Sequence, residues 1–273
     1  MKYICALTIA GSDSSGGAGV QADIKTMSAL GVYAASAITS ITVQNTLGVK
    51  AIQSVRPEIV AGQIEAVLED IQPQAVKIGM VNDCATIEAI ANTLERAAVK
   101  NLVIDPVMVS TSGSRLMQAD ALDVFVERLL PKASLLTPNV PEAEVLSGMK
   151  IATEADMDEA AMRILALGCK TVLVKGGHIE GDKKDRLYAC GVIGPVQIYT
   201  EEAVDTINTH GTGCTLSSAI TAYLARGMNM WQAIARAKEY LTSALKAGKN
   251  VNIGQGHGPV CHFYHPEKMI IKR

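Results

Sequence analysis

No run in this chain approaches the ~18 apolar residues that would mark a membrane-spanning helix. The apolar start, Met1 to Gly11, stops far short of the apolar region plus cleavage site of a secretion signal. The chain is therefore expected in the cytoplasm, without a membrane partner. It also lacks any Cys-x-x-Cys pair. Its six cysteines (Cys5, Cys84, Cys169, Cys190, Cys214, Cys261) are scattered, which fits neither a zinc site nor a disulfide framework, so they read as reduced thiols. Among the five histidines, His262-Phe263-Tyr264-His265 has no companion cluster to complete a metal shell. With 25 Lys+Arg against 27 Asp+Glu, the formal charge of −2 excludes the strong field that drives nucleic-acid binding. No repeat, low-complexity tract or linker divides the 273 residues, of which 48% are hydrophobic and 19% charged. That balance suits one well-buried domain spanning 1–273, since α/β units of about 250 residues are common.

The nucleotide and hydrolase signatures with the clearest mechanisms are missing as well. There is no G-x-x-x-x-G-K-[ST] loop and no G-x-S-x-G elbow. The stretch Gly11-Ser12-Asp13-Ser14-Ser15-Gly16-Gly17-Ala18-Gly19 is glycine-rich, but its spacing is not G-x-G-x-x-G. No Asp or Glu occurs between Val32 and Val55 to hold a ribose, so a dinucleotide-linked oxidoreductase is disfavoured. The loop then either wraps a small polar substrate or is a flexible connection.

What is present is alternation. Short β-branched runs (Cys5–Ala10, Ala37–Val43, Ala75–Met80, Leu102–Val107, Ser134–Thr137, Thr171–Lys175) are each followed by turn residues and a helical pattern. The helices are predicted at Ala18–Leu30, Pro57–Ile71, Thr86–Ala98, Ala119–Leu130, Glu142–Ser147 and Ala155–Leu167. This is the signature of repeated βαβ units around a parallel sheet. After the polar loop Gly176–Asp185, Arg186–Val192 and Val196–Tyr199 flank Gly194-Pro195 and predict an antiparallel hairpin at a sheet edge. Helices resume at Cys214–Arg226 and Met230–Ala247, with Gly227 and Gly248 placed as C-caps.

Ligands of open parallel sheets bind beyond the carboxyl ends of the strands. Asp13, Gln44-Asn45, Asp105, Asn139, Glu142 and Lys175 all fall on that rim. Thr209-His210-Gly211-Thr212-Gly213-Cys214-Thr215 runs directly into a helix. Its amides could hold an anion or a developing phosphoryl charge, or the segment could be an ordinary helix start capped by Thr212. Asn139 and Glu142, three residues apart at a helix opening, could face one magnesium ion or simply cap the helix. Asp105, held extended by Pro106, could join the same field. Lys175 could serve nucleotide phosphates or be a solvated lysine. Gln44 offers one donor and one acceptor that would complement an aminopyrimidine edge, or is a polar strand end.

Taken together these residues resemble the ribokinase superfamily, and within it the hydroxymethylpyrimidine/phosphomethylpyrimidine kinases. The likeness runs from Ala10-Gly11-Ser12-Asp13 through Lys77-Ile78-Gly79-Met80, Ile104-Asp105-Pro106-Val107-Met108, Thr137-Pro138-Asn139 and Glu142 to His210–Cys214. It implies a three-layer α/β/α fold with a mostly parallel sheet, a homodimer, and ATP and Mg²⁺ as cofactors. It implies phosphorylation of 4-amino-5-hydroxymethyl-2-methylpyrimidine and then of its monophosphate; the nearest rival is a pyridoxal or pyridoxine kinase. Gly11, Asp23, Gln44, Met80 and Val107 would line the pyrimidine pocket. Asp105, Asn139, Glu142, Lys175, Thr212 and Lys238 would serve ATP and magnesium, with Asp105, Asn139 and Glu142 around the metal. The superfamily's commoner turn ends in Asp, taken as the base; here the position is Cys214. That shifts the emphasis to the Gly211, Thr212 and Gly213 amides and Lys175 as the groups that stabilise transferring charge.

Overall fold

The computed structural model of the chain describes residues 1–97, 99–110, 113, 116–176 and 184–272. Residues 177–183 of the expected polar loop, and Ala98 at the end of an expected helix, lie outside these. Among the described residues β1 (Lys2–Tyr3) pairs with the last strand, β11 (Ile271–Lys272). The first half then runs β2 (Cys5–Asp13), α1 (Gly19–Ala29), β3 (Tyr33–Asn45), β4 (Gly48–Ser54), α2 (Pro57–Asp70), β5 (Ala75–Ile78), α3 (Cys84–Glu95) and β6 (Leu102–Ile104). It continues with α4 (Ala121–Arg128), β7 (Leu135–Leu136), α5 (Val140–Ser147), α6 (Glu154–Ala166), β8 (Thr171–Val174), β9 (Lys184–Ala189), β10 (Gln197–Thr200), α7 (Thr212–Ala225) and α8 (Met230–Gly248).

Among the described residues nine strands form one sheet in the order β10-β9-β8-β7-β6-β5-β2-β3-β4. From β3 to β8 the neighbours are parallel. The expected edge hairpin is β9–β10. A second antiparallel edge, β4 on β3, was not predicted. Most of β4 is exposed, so it carries no apolar alternation by which a strand could be read.

The strands are apolar on both faces because both are covered. Leu7, Ile9, Val76, Ile78, Leu102, Ile104, Leu136, Val172 and Val174 pack against α2 to α6. Their alternates Ala6, Ala75, Val103, Leu135 and Leu173 pack against α1, α7 and α8. The result is the expected α/β/α sandwich. Gly227 follows α7 with φ 89° and ends it as expected, but Gly248 lies inside α8, and a Cβ there would sit 3.0 Å from the Cys261 amide. It is a packing glycine against the C-terminal segment, not a cap.

Candidate active site

A cleft of about 830 Å³ opens over the carboxyl ends of the parallel strands. Each strand delivers its residue for a local reason. Pro106 terminates β6 just after Asp105, whose amide still bonds Ile78 O at 2.9 Å. Lys175 continues β8 through a bridge to Asn139, its amide bonding Pro138 O at 2.9 Å. Lys175 Nζ then reaches Asp105 Oδ1 at 3.2 Å. Thr137 Oγ1 donates to the same oxygen at 3.1 Å, and Ser217 Oγ of α7 donates to Oδ2 at 3.2 Å. Burial pushes the Asp105 carboxyl up, yet the charges of Lys175 and Lys77 and these bonds hold it below the ordinary range. Lys175 is only partly buried, and Asp105 and Glu142 keep its ammonium charged.

Asn139 and Glu142 form a reciprocal capping box at the start of α5. Glu142 N donates to Asn139 Oδ1 at 2.9 Å, and Asn139 N donates to Glu142 Oε2 at 2.8 Å. The cap reading of this pair is thus realised, and both residues still line the cleft. Burial, aided by Asp105 and opposed by Lys175, raises the Glu142 carboxyl to about 7. Asp105, Glu142 and the Asn139 amide are hard oxygen donors around one excess negative charge, which suits a largely hydrated magnesium ion held mainly by phosphate. Among the described residues no group of three His, Cys, Asp or Glu side chains forms a cage by itself.

The turn before α7 interlocks with the loop after β2. Gly211 has φ 76°, and a Cβ there would collide with the Gly17 carbonyl. A Cβ on Gly213 would sit 3.5 Å from Asp105 Oδ2 and 3.6 Å from Lys175 Nζ, so the bare Gly213 backbone faces that pair directly. Asp13, almost fully buried, accepts from the amides of Ser15, Gly17 and Ala18 and, at 2.8 Å, from His210 Nε2. Burial alone would raise its carboxyl; the bonds from His210 and Ser15 outweigh that and leave it well below the usual range. Asp13 therefore ties the loop to the turn as a permanent anion. Gln44 stands 3.4 Å from the same imidazole, its Oε1 accepting from Thr42 Oγ1 at 3.1 Å, which turns its amide nitrogen toward the ring and the cleft.

The cleft brings together Gly11, Gln44, Met80, Val107, Asp105, Asn139, Glu142, Lys175, Gly211, Thr212, Gly213 and Cys214. Two expected residues do not line it. Asp23 is fully buried beneath it, paired with Lys77. Lys238 bonds Asp185 Oδ2 at 2.6 Å, and it is Asp185 that reaches the wall. Both placements have one cause: a charged side chain on an inner helix face must find a partner before it finds a ligand. Asp185, Leu241 and Leu245 were not anticipated on the wall; the leucines sit one turn apart on α8 and read as ordinary core.

An α/β/α sandwich whose glycine turn before α7 faces the Lys175–Asp105 pair defines the chain as a ribokinase-like small-molecule kinase, a phosphotransferase. The family profile described as phosphomethylpyrimidine kinase matches residues 13–261. The chain belongs to that family. It is 50% identical over 260 residues, 95% of this chain and 97% of the relative, to the hydroxymethylpyrimidine/phosphomethylpyrimidine kinase of Rhizobium meliloti. The Escherichia coli enzyme of the same name is 44% identical over 266 residues, 97% of this chain and 99% of the relative. Among solved structures, phosphomethylpyrimidine kinase from Clostridium difficile superposes with a TM-score of 0.79 at 47% identity, covering 89% of this chain and 99% of that one. An ADP complex of Bacillus subtilis pyridoxal kinase superposes with a TM-score of 0.86 at 38% identity, covering 96% and 98%.

Proposed function

We propose that this chain phosphorylates the hydroxymethyl oxygen of 4-amino-5-hydroxymethyl-2-methylpyrimidine and then the resulting monophosphate, with ATP as donor. The observation that carries the reading is one cleft lined together by Gln44, Met80 and Val107, the 211–214 turn and the Asp105–Lys175 pair. Gln44 presents its amide to the heteroatom edge of the ring, and Met80 and Val107 form apolar walls for the ring and its methyl group. Gly11 leaves room for the ring. A Cβ there would press on Ser40 Oγ at 2.7 Å and Met80 Sδ at 3.1 Å, and so push the Met80 wall.

Phosphoryl transfer through a loose transition state needs aligned oxygens and fixed positive charge more than covalent help from the protein. The amides of residues 211–214 at the start of α7 and the Lys175 ammonium supply it. Thr212 and Lys175 hold donor phosphates, and Lys238, through Asp185, fixes the far wall. Asp105, Asn139 and Glu142 would hold magnesium, partly through water, and the ion would supply charge neutralisation at the phosphates. Cys214 lies partly buried at the helix start with its thiol raised to about 11, because desolvation and the charges of Asp23 and Asp105 outweigh the lowering by Lys77 and the Gly19 amide. At neutral pH it is a thiol, and the amides carry the larger share of the rate.

We also infer a homodimer. Ile41 and Val43 alternate onto one exposed face of β3 at the uncovered end of the sheet, 53% and 56% exposed. The function is tested by supplying ATP-Mg with the hydroxymethylpyrimidine, its monophosphate and pyridoxal separately, following ADP release and product mass. Turnover of both pyrimidines above pyridoxal is expected. Faster turnover of pyridoxal would favour the second reading, which the structural likeness to pyridoxal kinase raises.

A further inference from the structure

Lys77 is a lysine in the wrong layer. It occupies the middle of β5, in register with Thr8 on β2 and Val103 on β6, and projects to the face covered by α1 and α7, where its neighbours Val103 and Leu135 are apolar core. It is completely buried, as is Asp23 of α1, and the two pair at 2.6 Å. Removing two charges from water costs more than a surface pair returns, and an apolar pair of similar volume would serve stability as well or better. Packing therefore does not account for it.

The surroundings of the pair give the account. Asp23 Oδ1 receives both Lys77 Nζ and Ser218 Oγ of α7, each at 2.6 Å, while Thr8 Oγ1 holds Oδ2 at 2.6 Å. All four residues belong to elements that end in the cleft. Ser218 lies four residues after Cys214 on α7, so the two share a helix face, with Ser218 leaning back toward the turn that carries the thiol. The ammonium is tucked under Gly79, where a Cβ would lie 3.2 Å from Nζ. The charges that act on Cys214 include Lys77 of β5, Asp23 of α1 and Asp105 after β6, the last already paired with Lys175, and the Gly19 amide bonds its sulfur. Lys77 is the cation among them.

We propose that Lys77 is a positioning residue for phosphoryl transfer, its buried ammonium acting as the counter-charge beneath Cys214 and the start of α7, with Asp23 metering how much of that charge the thiol feels. This deepens the kinase reading and rests on it for its catalytic meaning. The charge relation itself is read without kinase turnover. It predicts opposite signs for two variants. Asp23→Asn removes the partner and leaves Cys214 and Asp105 as the anions facing Lys77, so Cys214 should ionise at lower pH. Lys77→Met combined with Asp23→Asn removes the cation without stranding a buried anion, so Cys214 should ionise at higher pH than in the wild type.

The test is the pH dependence of alkylation by iodoacetamide at Cys214, quantified by peptide mass spectrometry, with exposed Cys190 in the same molecule as internal reference. A Cys214→Ser control fixes the background. A displacement of about one pH unit in each direction is expected, or about tenfold in alkylation rate at a fixed pH on the rising limb. Cys190 should not move. Circular dichroism and thermal unfolding establish that each variant is folded, and if the double variant is not, Asp23→Asn alone still decides the sign. Coincident Cys214 profiles in folded variants, or a rise in Asp23→Asn, overturn the proposal. If the profiles move as expected while turnover of the pyrimidine does not, the charge relation stands and its catalytic meaning fails.

Discussion

The Gly211 backbone can exist in this turn only without a side chain: φ is positive and the Gly17 carbonyl fills the Cβ position. Gly211→Ala is expected to spread the turn from the β2–α1 loop and lower kcat by about a hundredfold, since misplacements near 1 Å carry that cost. Steady-state kinetics beside an unchanged far-ultraviolet circular dichroism spectrum check it. His210→Ala should act on the same junction by freeing Asp13, raising KM for the pyrimidine more than it lowers kcat. Gln44, which stands against the same imidazole, loses a fixed neighbour in that variant. At Glu142 the consequence is a pH dependence. Its carboxyl is raised from 4.5 to about 7, so the folded state prefers the proton. The stability this contributes is fully present below pH 4.5 and is lost as pH rises through 7. Glu142→Gln should remove that contribution, so the variant's melting temperature should gain on that of the wild type as pH rises from 4.5 to 7. A constant offset between the two profiles would contradict the assignment.

The elements matter by what they carry to the rim. Strand β6 is three residues long and β7 two, yet they place Asp105 and Asn139 because both lie between covered faces that leave no alternative register. Helix α4 shows the same economy: Phe125, fully buried, fastens it to the sheet. Phe125→Ala is expected to cost about 3–5 kcal/mol in guanidinium unfolding. The β3–β4 extension is the opposite case, a ribbon with one face exposed. Replacing Ile41 and Val43 by Asp should shift a dimer toward monomer in sedimentation velocity, while unfolding midpoints change little, because about half of each residue is already in solvent. The β4 strand also shows why such an edge is not legible in a sequence. Its residues are mostly exposed, so pairing with β3, not burial, makes it a strand, and pairing leaves no periodic trace in composition.

At the scale of the molecule, two buried ionisable groups act in opposite senses over an overlapping range. His262 is lowered from 6.5 to about 4 by burial, with a smaller push from Lys25. It bonds Thr215 of α7 at 3.2 Å, and its carbonyl accepts from Tyr240 of α8 at 2.6 Å. Its folded form resists the proton, so this contribution is present above pH 6.5 and is lost as pH falls through 4. Wild-type stability should thus change little between about pH 4.5 and 6.5, where Glu142 and His262 compensate. In Glu142→Gln the His262 term alone should appear, as a melting temperature falling steadily on acidification over that range.

The alternation of β-branched runs and helical stretches determined the sandwich and placed Asp105, Asn139, Glu142, Lys175 and the 211–214 turn on one rim, because period and strand ends are local properties of the chain. The Gly211–Cys214 turn and Gln44 were legible for the same reason: glycine next to a helix start and an amide at a strand end are visible one residue at a time. Tertiary structure alone decided the partners. That Asp23 meets Lys77 across 54 residues and His210 meets Asp13 across 197 depends on which helix covers which face. A buried charge is settled by the nearest opposite charge in space, which spacing along the chain does not encode.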